Sequence, residues 1–427
     1  MAPKPVTPTA AGDVKINYGS TTVVEPLPDA KGPNTKASAG GAGTTTGDTE
    51  SLSSSDAEAA AVAAGLSHLQ ARDKHWYSYL ATRDFWIVVA LGQTLALCIT
   101  ATNTFTTLLV KVNTNIPAFQ TLLNYVLLTL IWLPITLRKQ GVKKWARIVR
   151  KDWWRYLILS FFDVEGNYFT VLAYNYTNIL SAQLINFWAI VCVVTLSFLF
   201  LRVRYRILQI AGILLCCGGM GVLLASDHLQ GNTGPEASDM IKGDLFALLG
   251  ATFYGLSNVY EEWFVSKRPM YEVLSFLAIF GVLINGVQAA IFDRHSFQGA
   301  TWNGQVAGYL VGYMACLSLF YSIAPLVFRM GSAAVFDVNL LTGNFWGVII
   351  GTRVFGYTVH WMYPIAFVLI IVGQIVYFVT GSILGDSKKP WLGENQEHGV
   401  VGVGTAKWKA LREAKKKGLV GVREGEA

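Results

Sequence analysis

Ten long apolar stretches lie between Asp84 and Gly381, and they restrict the fold of this chain more than any other feature. These 298 residues leave about 30 for each stretch, which suits a membrane-crossing helix of roughly 20 residues and a short loop. Hydrophobic residues make up 52% of the sequence and charged residues only 14%, against about a quarter in soluble domains. The sequence predicts an all-α integral membrane protein with ten transmembrane helices.

The hydropathy pattern places the predicted spans at 85–108, 117–137, 155–175, 179–201, 206–225, 244–264, 272–292, 305–326, 333–351 and 358–380. Spans 3, 6 and 9 are less apolar than the others, and their polar faces can line a cavity inside a bundle. The remaining boundaries give a disordered tail (1–70), a juxtamembrane segment (71–84), two five-helix halves (85–227 and 244–381), a non-cytosolic loop (228–243) and a basic cytosolic tail (382–427). Within the first tail, Ser55 and Glu58 match a capping box and indicate a short helix.

The distribution of Lys and Arg predicts the orientation. Loops after the even-numbered spans carry 8, 3, 2 and 1 basic residues, whereas loops after the odd-numbered spans carry 1, 0, 1, 1 and 1. Because cytosolic loops are enriched in Lys and Arg, the even-numbered loops and both termini are expected in the cytosol. The sequence is compatible with either an endomembrane or the plasma membrane.

An internal repeat relates spans 3–5 to spans 8–10. Ala173 falls on Ala324 at an offset of 151 residues, and the same offset brings Asn186 onto Asp337. Each half contains five spans, an odd number, so the second half has to enter the membrane inverted. Inverted repeats of this kind recur in transporters, where the solute binds between the repeats near the membrane midplane.

Polar residues inside the spans are the candidates for function. The segment 163–168 (Asp-Val-Glu-Gly-Asn-Tyr) lies 8 to 13 residues into span 3, where an unpaired carboxylate costs several kcal/mol. Asp163 and Asn167 share one helix face, and Glu165 points elsewhere. Ten residues are predicted to bind substrate: Glu165, Asn167, Tyr168, Gln183, Asn186, Tyr254, Asn258, Tyr321, Asp337 and Asn339. Coupling or gating is predicted for Asp163, Glu165, Glu261 and Glu262.

Two alternatives to these roles stay open. Amides and carboxyl groups in spans also connect neighbouring helices without binding any solute. Glu261 and Glu262 lie near the expected cytosolic end of span 6, where Arg202, Arg204 or Arg206 could pair with them.

Several other classes of function are disfavoured. No phosphate-binding loop or His-Glu-x-x-His zinc motif occurs, so neither an enzyme nor a cofactor or metal site is expected. The net charge of +7 comes from residues beside the spans and in the C-terminal tail, which argues against nucleic acid as a partner. The expected partners are a small-molecule substrate and the lipid bilayer, with a monomer or homodimer as the functional unit.

Three motifs carry a resemblance to a known family. They are Asp-Val-Glu-Gly-Asn-Tyr (163–168), Leu-Arg-Val-Arg-Tyr-Arg (201–206) and Tyr-Gly-Leu-Ser-Asn-Val-Tyr-Glu-Glu (254–262). Over residues 85–380 the chain resembles solute carrier family 35, subfamily F, of the drug/metabolite transporter superfamily, as a fungal-type member. The resemblance implies ten spans in two inverted halves, cytosolic termini and alternating access around a central cavity.

The substrate implied by this resemblance differs from that of the nucleotide-sugar exchangers in the superfamily. Span 9 begins Gly-Ser-Ala-Ala-Val-Phe-Asp-Val-Asn (331–339), not with the Gly-Ala-Leu-Asn-Lys pattern of GDP-mannose carriers. Subfamily F resembles carriers of neutral or cationic heterocycles, such as nucleosides and nucleobases. We therefore expect a secondary carrier of a small polar solute, with a nucleotide-sugar exchanger or a non-transporting scaffold or receptor as alternatives.

Overall fold

The computed structural model describes residues 54–72, 82–114, 116–174, 176, 188–229, 240–354, 361–379 and 387–418. All regular secondary structure in these ranges is helical. The predicted site residues Gln183 and Asn186, and most of the predicted loop 228–243, lie outside the described residues.

Helices overlap all ten predicted spans. The first five are α2 (Arg83–Lys111), α3 (Pro117–Gln140), α4 (Val142–Ala173), α5 (Trp188–Leu199) and α6 (Ile207–Leu229). The last five are α7 (Met240–Lys267), α8 (Met270–Phe292), α10 (Gly304–Met330), the pair α11 (Ala333–Leu340) and α12 (Gly343–Val354), and α13 (Met362–Val379). A short helix, α9 (Arg294–Gly299), follows α8.

Six of these segments are long and apolar enough to cross a membrane: α2, α3, α8, α10, α11 with α12, and α13. Helices α4 and α7 are also long, but they carry the acidic residues Asp163, Glu165, Glu261 and Glu262 along with basic residues at their ends. The apolar parts of α5 and α6 are shorter. The described residues thus form an all-helical fold with six candidate membrane spans, and the count of ten spans stays a prediction.

Local sequence explains where several helices begin. Side chains of Thr82, Asn303 and Ser332 accept hydrogen bonds from the backbone N–H three residues later, which satisfies donors that a helix start leaves unpaired. Pro117 begins α3, where its missing N–H costs nothing. The predicted ninth span is broken at Leu341 and Thr342, so that α11 and α12 are separate helices.

The helices pack in recurring pairs. Helix α2 packs along α10, α3 along α8, α4 along α7, and α6 along α13; α5 contacts α7, and α11 contacts α2. The α6–α13 pair is close because Gly212 and Gly373 face each other, and a Cβ on either would lie 2.7 Å from the carbonyl oxygen of the other. Small residues permit such backbone approach between membrane helices.

The terminal segments are more ordered than expected. The short helix indicated near Ser55 is present as α1 (Ser54–Arg72), which lies mostly within the tail predicted to be disordered (1–70), and the predicted basic tail contains α14 (Ala406–Lys416). Val62 and Leu66 of α1 pack against Ala406 and Ala410 of α14. This apolar contact provides the burial that the local composition did not reveal.

Candidate functional site

A cavity of about 170 Å³ lies among α2, α4, α5, α7, α10, α11 and α12. An apolar cavity of about 150 Å³ is large enough to hold benzene, so this space suits a molecule with roughly one ring. Its polar lining comes from Thr100, Thr102, Asn103, Thr106, Asp163, Asn167, Thr170, Tyr174, Tyr254, Asn258, Glu261, Tyr313, Tyr321, Asp337 and Asn344.

The carboxylate of Asp163 is the centre of a hydrogen-bond network at the cavity wall. Tyr125 donates to Oδ2 at 2.7 Å, and Tyr321 lies 2.8 Å from both carboxylate oxygens. Asn167, one turn further along α4, donates to the hydroxyls of Tyr125 (3.0 Å) and Tyr321 (2.6 Å) and accepts from Tyr254 (3.0 Å). Side chains from α3, α4, α7 and α10 are thus held in fixed positions.

Two further acidic residues line the same cavity, and their carboxyl groups accept fewer hydrogen bonds than that of Asp163. Asn258 donates to Oδ1 of Asp337 at 3.1 Å, while Oδ2 of Asp337 has no hydrogen-bond partner among the described residues. Within the same ranges Oε1 of Glu261 also has none, and both residues are 4% exposed. A buried carboxylate oxygen without a donor is costly unless a bound molecule or ion satisfies it.

The charge of the cavity lining is one-sided. Asp163, Glu261 and Asp337 contribute carboxyl groups, and none of the described lining residues is Lys or Arg. In a site of low dielectric, such a lining favours hydrogen-bond donors or positive charge and disfavours phosphates. No cluster of His, Cys, Asp and Glu among the described residues has metal-binding geometry.

The structure brings many of the sequence-predicted residues together. Of the predicted substrate-binding set, the cavity is lined by Asn167, Tyr254, Asn258, Tyr321 and Asp337. Two residues predicted to act in coupling or gating, Asp163 and Glu261, line it as well. The predicted separation of Asp163 from Glu165 on the helix surface is observed, since only Asp163 faces the cavity.

The other predicted residues lie elsewhere. Glu165 accepts a hydrogen bond from Gln288 of α8 at 2.6 Å, and the ring of Tyr168 packs against Phe292. Asn339 donates to the carbonyl of Val335 on its own helix.

Glu262 has a different partner from the three arginines considered above. It forms an ion pair of 2.6 Å with Lys389, a residue of the predicted C-terminal tail.

Several residues of the cavity lining and of the hydrogen-bond network behind it were not anticipated. Tyr125 of α3 donates a hydrogen bond to Asp163 of α4. Periodicity within α3 cannot indicate this contact, because it joins residues 38 positions apart. Span 1 was not predicted to line the cavity, although its polar run Thr100-Ala-Thr-Asn103 inside an apolar helix was a usable signal. Tyr313 of α10 also lines the cavity and was not among the predicted site residues, although it is a polar residue inside an apolar helix.

Comparison with known proteins agrees with this architecture. Residues 81–379 match the family model SLC35F, described as solute carrier family 35. A solute carrier family 35 member of Schizosaccharomyces pombe is 49% identical over 329 residues, which cover 77% of this chain and 64% of that relative. Solute carrier family 35 member F2 of Mus musculus is 34% identical over 302 residues, or 70% of this chain and 80% of that protein.

A solved crystal structure also shares the fold. It superimposes with a TM-score of 0.53 at 17% sequence identity, covering 68% of this chain and 95% of the other. The family model spans well over half of the sequence. The chain is a multi-pass membrane protein that belongs to solute carrier family 35, in its subfamily F.

Proposed function

We propose that this protein is a secondary carrier that moves a small, neutral or cationic organic solute by alternating access through the cavity described above. A nucleoside- or nucleobase-like compound fits the lining best, and a single-ring base matches the volume of about 170 Å³. The observation that carries the proposal is the pair of buried carboxyl groups that line the cavity, Glu261 and Asp337, each with one oxygen atom that has no hydrogen-bond partner among the described residues. A solute with N–H donors would satisfy both atoms.

The alternative of nucleotide-sugar exchange is less well supported. A diphosphate in a buried site needs Arg or Lys to compensate its charge, and the described lining residues supply carboxylates instead. A non-transporting scaffold is also less well supported, because polar residues that only connect helices would be fully paired and would leave no cavity.

The helix contacts support two inverted five-helix halves. When each span is exchanged with its counterpart five spans later, the α4–α7 contact becomes α10–α2, and α4–α8 becomes α10–α3. The α5–α7 contact likewise becomes that of α11 and α12 with α2. All of these pairs are observed, and the α3–α8 and α6–α13 pairs map onto themselves. A carrier built in this way can expose its cavity to either side by tilting one half against the other.

Uptake into proteoliposomes tests the proposal. The panel contains purine and pyrimidine bases, their nucleosides, and UDP- and GDP-sugars. We expect uptake of at least one base or nucleoside and of no nucleotide sugar. Loss of a hydrogen bond to a charged group costs about 1.5–3 kcal/mol, so Glu261→Gln and Asp337→Asn should each weaken solute binding roughly 10- to 150-fold.

Glu165→Gln is the matched control, because it removes a buried carboxylate of the neighbouring helix face that does not contact the cavity. It should transport at close to the wild-type rate. Uptake of a nucleotide sugar, or unchanged uptake in both cavity variants, would contradict the proposed function.

A further inference from the structure

The segment 387–418 folds back against the ends of helices that surround the cavity. The ends concerned are those of α2 at Arg83, α7 at Lys267 and α10 at Met330, which we call the terminal face. Its own secondary structure is limited to the 3-10 turn Pro390–Leu392 and to α14. Side chains of this segment nevertheless make buried polar contacts with the helices, as described next.

Lys389 makes the most buried of these contacts. Its Nζ lies 2.6 Å from Oε1 of Glu262 and also donates to the carbonyl oxygen of Gly331. The second carboxylate oxygen of Glu262 accepts the N–H of Ala333 at 2.9 Å, at the start of α11. One lysine therefore ties the end of α7 to the junction between α10 and α11. Both charged side chains are almost fully buried, so neither can be left unpaired without cost.

Other contacts extend the attachment to a helix of the predicted first half. Trp391 donates to the hydroxyl of Ser266 at 2.9 Å, and the backbone N–H of Val400 donates to the Ser266 carbonyl. Further along, Lys409 pairs with Asp84 at the start of α2 at 3.0 Å. The segment thus joins α7, α10 and α11 to α2, that is, one predicted half to the other.

Two residues at the ends of α7 and α10 directly follow cavity-lining residues in the sequence. Glu262 follows the cavity-lining Glu261, and Arg329 follows the cavity-lining Phe328. Arg329 is buried and donates to the carbonyl oxygens of Val265 and Arg268, which fixes the end of α10 against the end of α7. A tilt that separates α2 from α7 and α10 on this face has to break the contacts of Lys389 or Lys409.

We propose that residues 387–418 are a latch that holds the terminal face of the cavity closed, with the Lys389–Glu262 pair as its principal contact. With the latch engaged, the cavity is shielded on this face. Its release allows the ends of α2, α7 and α10 to separate and admits solute from this side. The inference rests on the proposed alternating access, and it assigns a regulatory function to a segment for which the sequence predicted only a basic cytosolic tail.

Site-directed labelling tests the latch without any solute. In a background with the five native cysteines replaced, Ala324→Cys reports the cavity near the terminal face, and Thr106→Cys reports it near the opposite end of α2. The rate of reaction with a membrane-impermeant maleimide is measured in proteoliposomes from both sides. Coupling between distant sites commonly amounts to about 5- to 150-fold, so Lys389→Met should speed labelling at position 324 by about tenfold and slow it at position 106.

Two further variants separate release of the latch from misfolding. Lys407→Met is the matched control, since its partner Glu58 is 45% exposed and such surface pairs contribute little. Glu262→Gln combined with Lys389→Met removes both buried charges, so it should open the terminal face without leaving a lone carboxylate. Opposite rate changes at the two reporters support the latch, whether or not any solute of the uptake panel is carried. Unchanged rates in both Lys389 variants, or a rise at both reporters, would overturn it.

Discussion

Removal of the Tyr321 hydroxyl is the sharpest test of the network around Asp163. Tyr321 and Tyr125 are the two residues that donate at short distance to this carboxylate, while Ser257 lies 3.5 Å away. Tyr321→Phe removes one donor and leaves Asn167 bonded to Tyr125 and to the Asp163 carbonyl. The change therefore removes the hydrogen bond to the carboxylate together with the one that Tyr321 accepts from Asn167, and it keeps the ring in place.

The expected magnitude follows from this geometry. Hydrogen bonds to charged groups contribute about 1.5–3 kcal/mol, so Tyr321→Phe should lower the free energy of unfolding by about 2 kcal/mol. Tyr125→Phe should cost a similar amount. In the double variant Asp163 retains only the long contact with Ser257, so the loss should exceed the sum of the single losses by roughly 0.5–3 kcal/mol.

Equilibrium unfolding in mixed micelles of SDS and a mild detergent measures these free energies. Tyr313→Phe is the control, since its ring lines the same cavity but its hydroxyl makes no hydrogen bond to Asp163. Strictly additive losses, or a loss for Tyr321→Phe below about 0.5 kcal/mol, would refute the view that the two tyrosines jointly stabilise one buried carboxylate.

Two more perturbations test the packing and one loop contact. A Cβ at Gly281 would lie 2.5 Å from the Tyr125 ring, so Gly281→Ala should reduce both thermal stability and solute uptake, whereas Gly286→Ala, whose nearest neighbour would be 3.9 Å away, should change neither. Asp293, beyond the end of α8, accepts the Phe119 N–H at 2.7 Å, and burial raises its pKa from 3.8 to about 6. The folded protein therefore binds more protons at this carboxyl than the unfolded chain, and stability should fall as the pH rises through this interval. Melting temperatures of wild type and Asp293→Asn between about pH 4 and 7 check this sign, and a wild-type slope that persists in the variant would contradict it.

Sequence reasoning worked where a property depends on short-range periodicity. Apolar runs located the helices, and the spacing of Asp163 and Asn167 gave their shared face, because both follow from a period of 3.6 residues. It failed where contacts join distant parts of the chain. Tyr125 looks like a packing aromatic of α3 until α4 is placed beside it.

The terminal segments illustrate the same limit. Lys389 lies in a polar, charged region that composition assigns to solvent, and only the tertiary structure reveals its buried partner Glu262. The sequence placed most of α1 in a disordered tail and indicated only a short helix near Ser55. Its apolar face is covered by α14 from the far end of the sequence, which local composition does not show. Burial by a distant partner is invisible to local composition.

A structure of the protein with an accepted solute bound would show directly whether the solute binds in this cavity. We predict that the solute occupies the cavity among α2, α4, α7, α10 and α11, and that its N–H donors lie within hydrogen-bond distance of Oε1 of Glu261 or Oδ2 of Asp337. A solute bound against Glu165 and Tyr168 on the opposite side of α4, with both cavity carboxylates still unpaired, would contradict it.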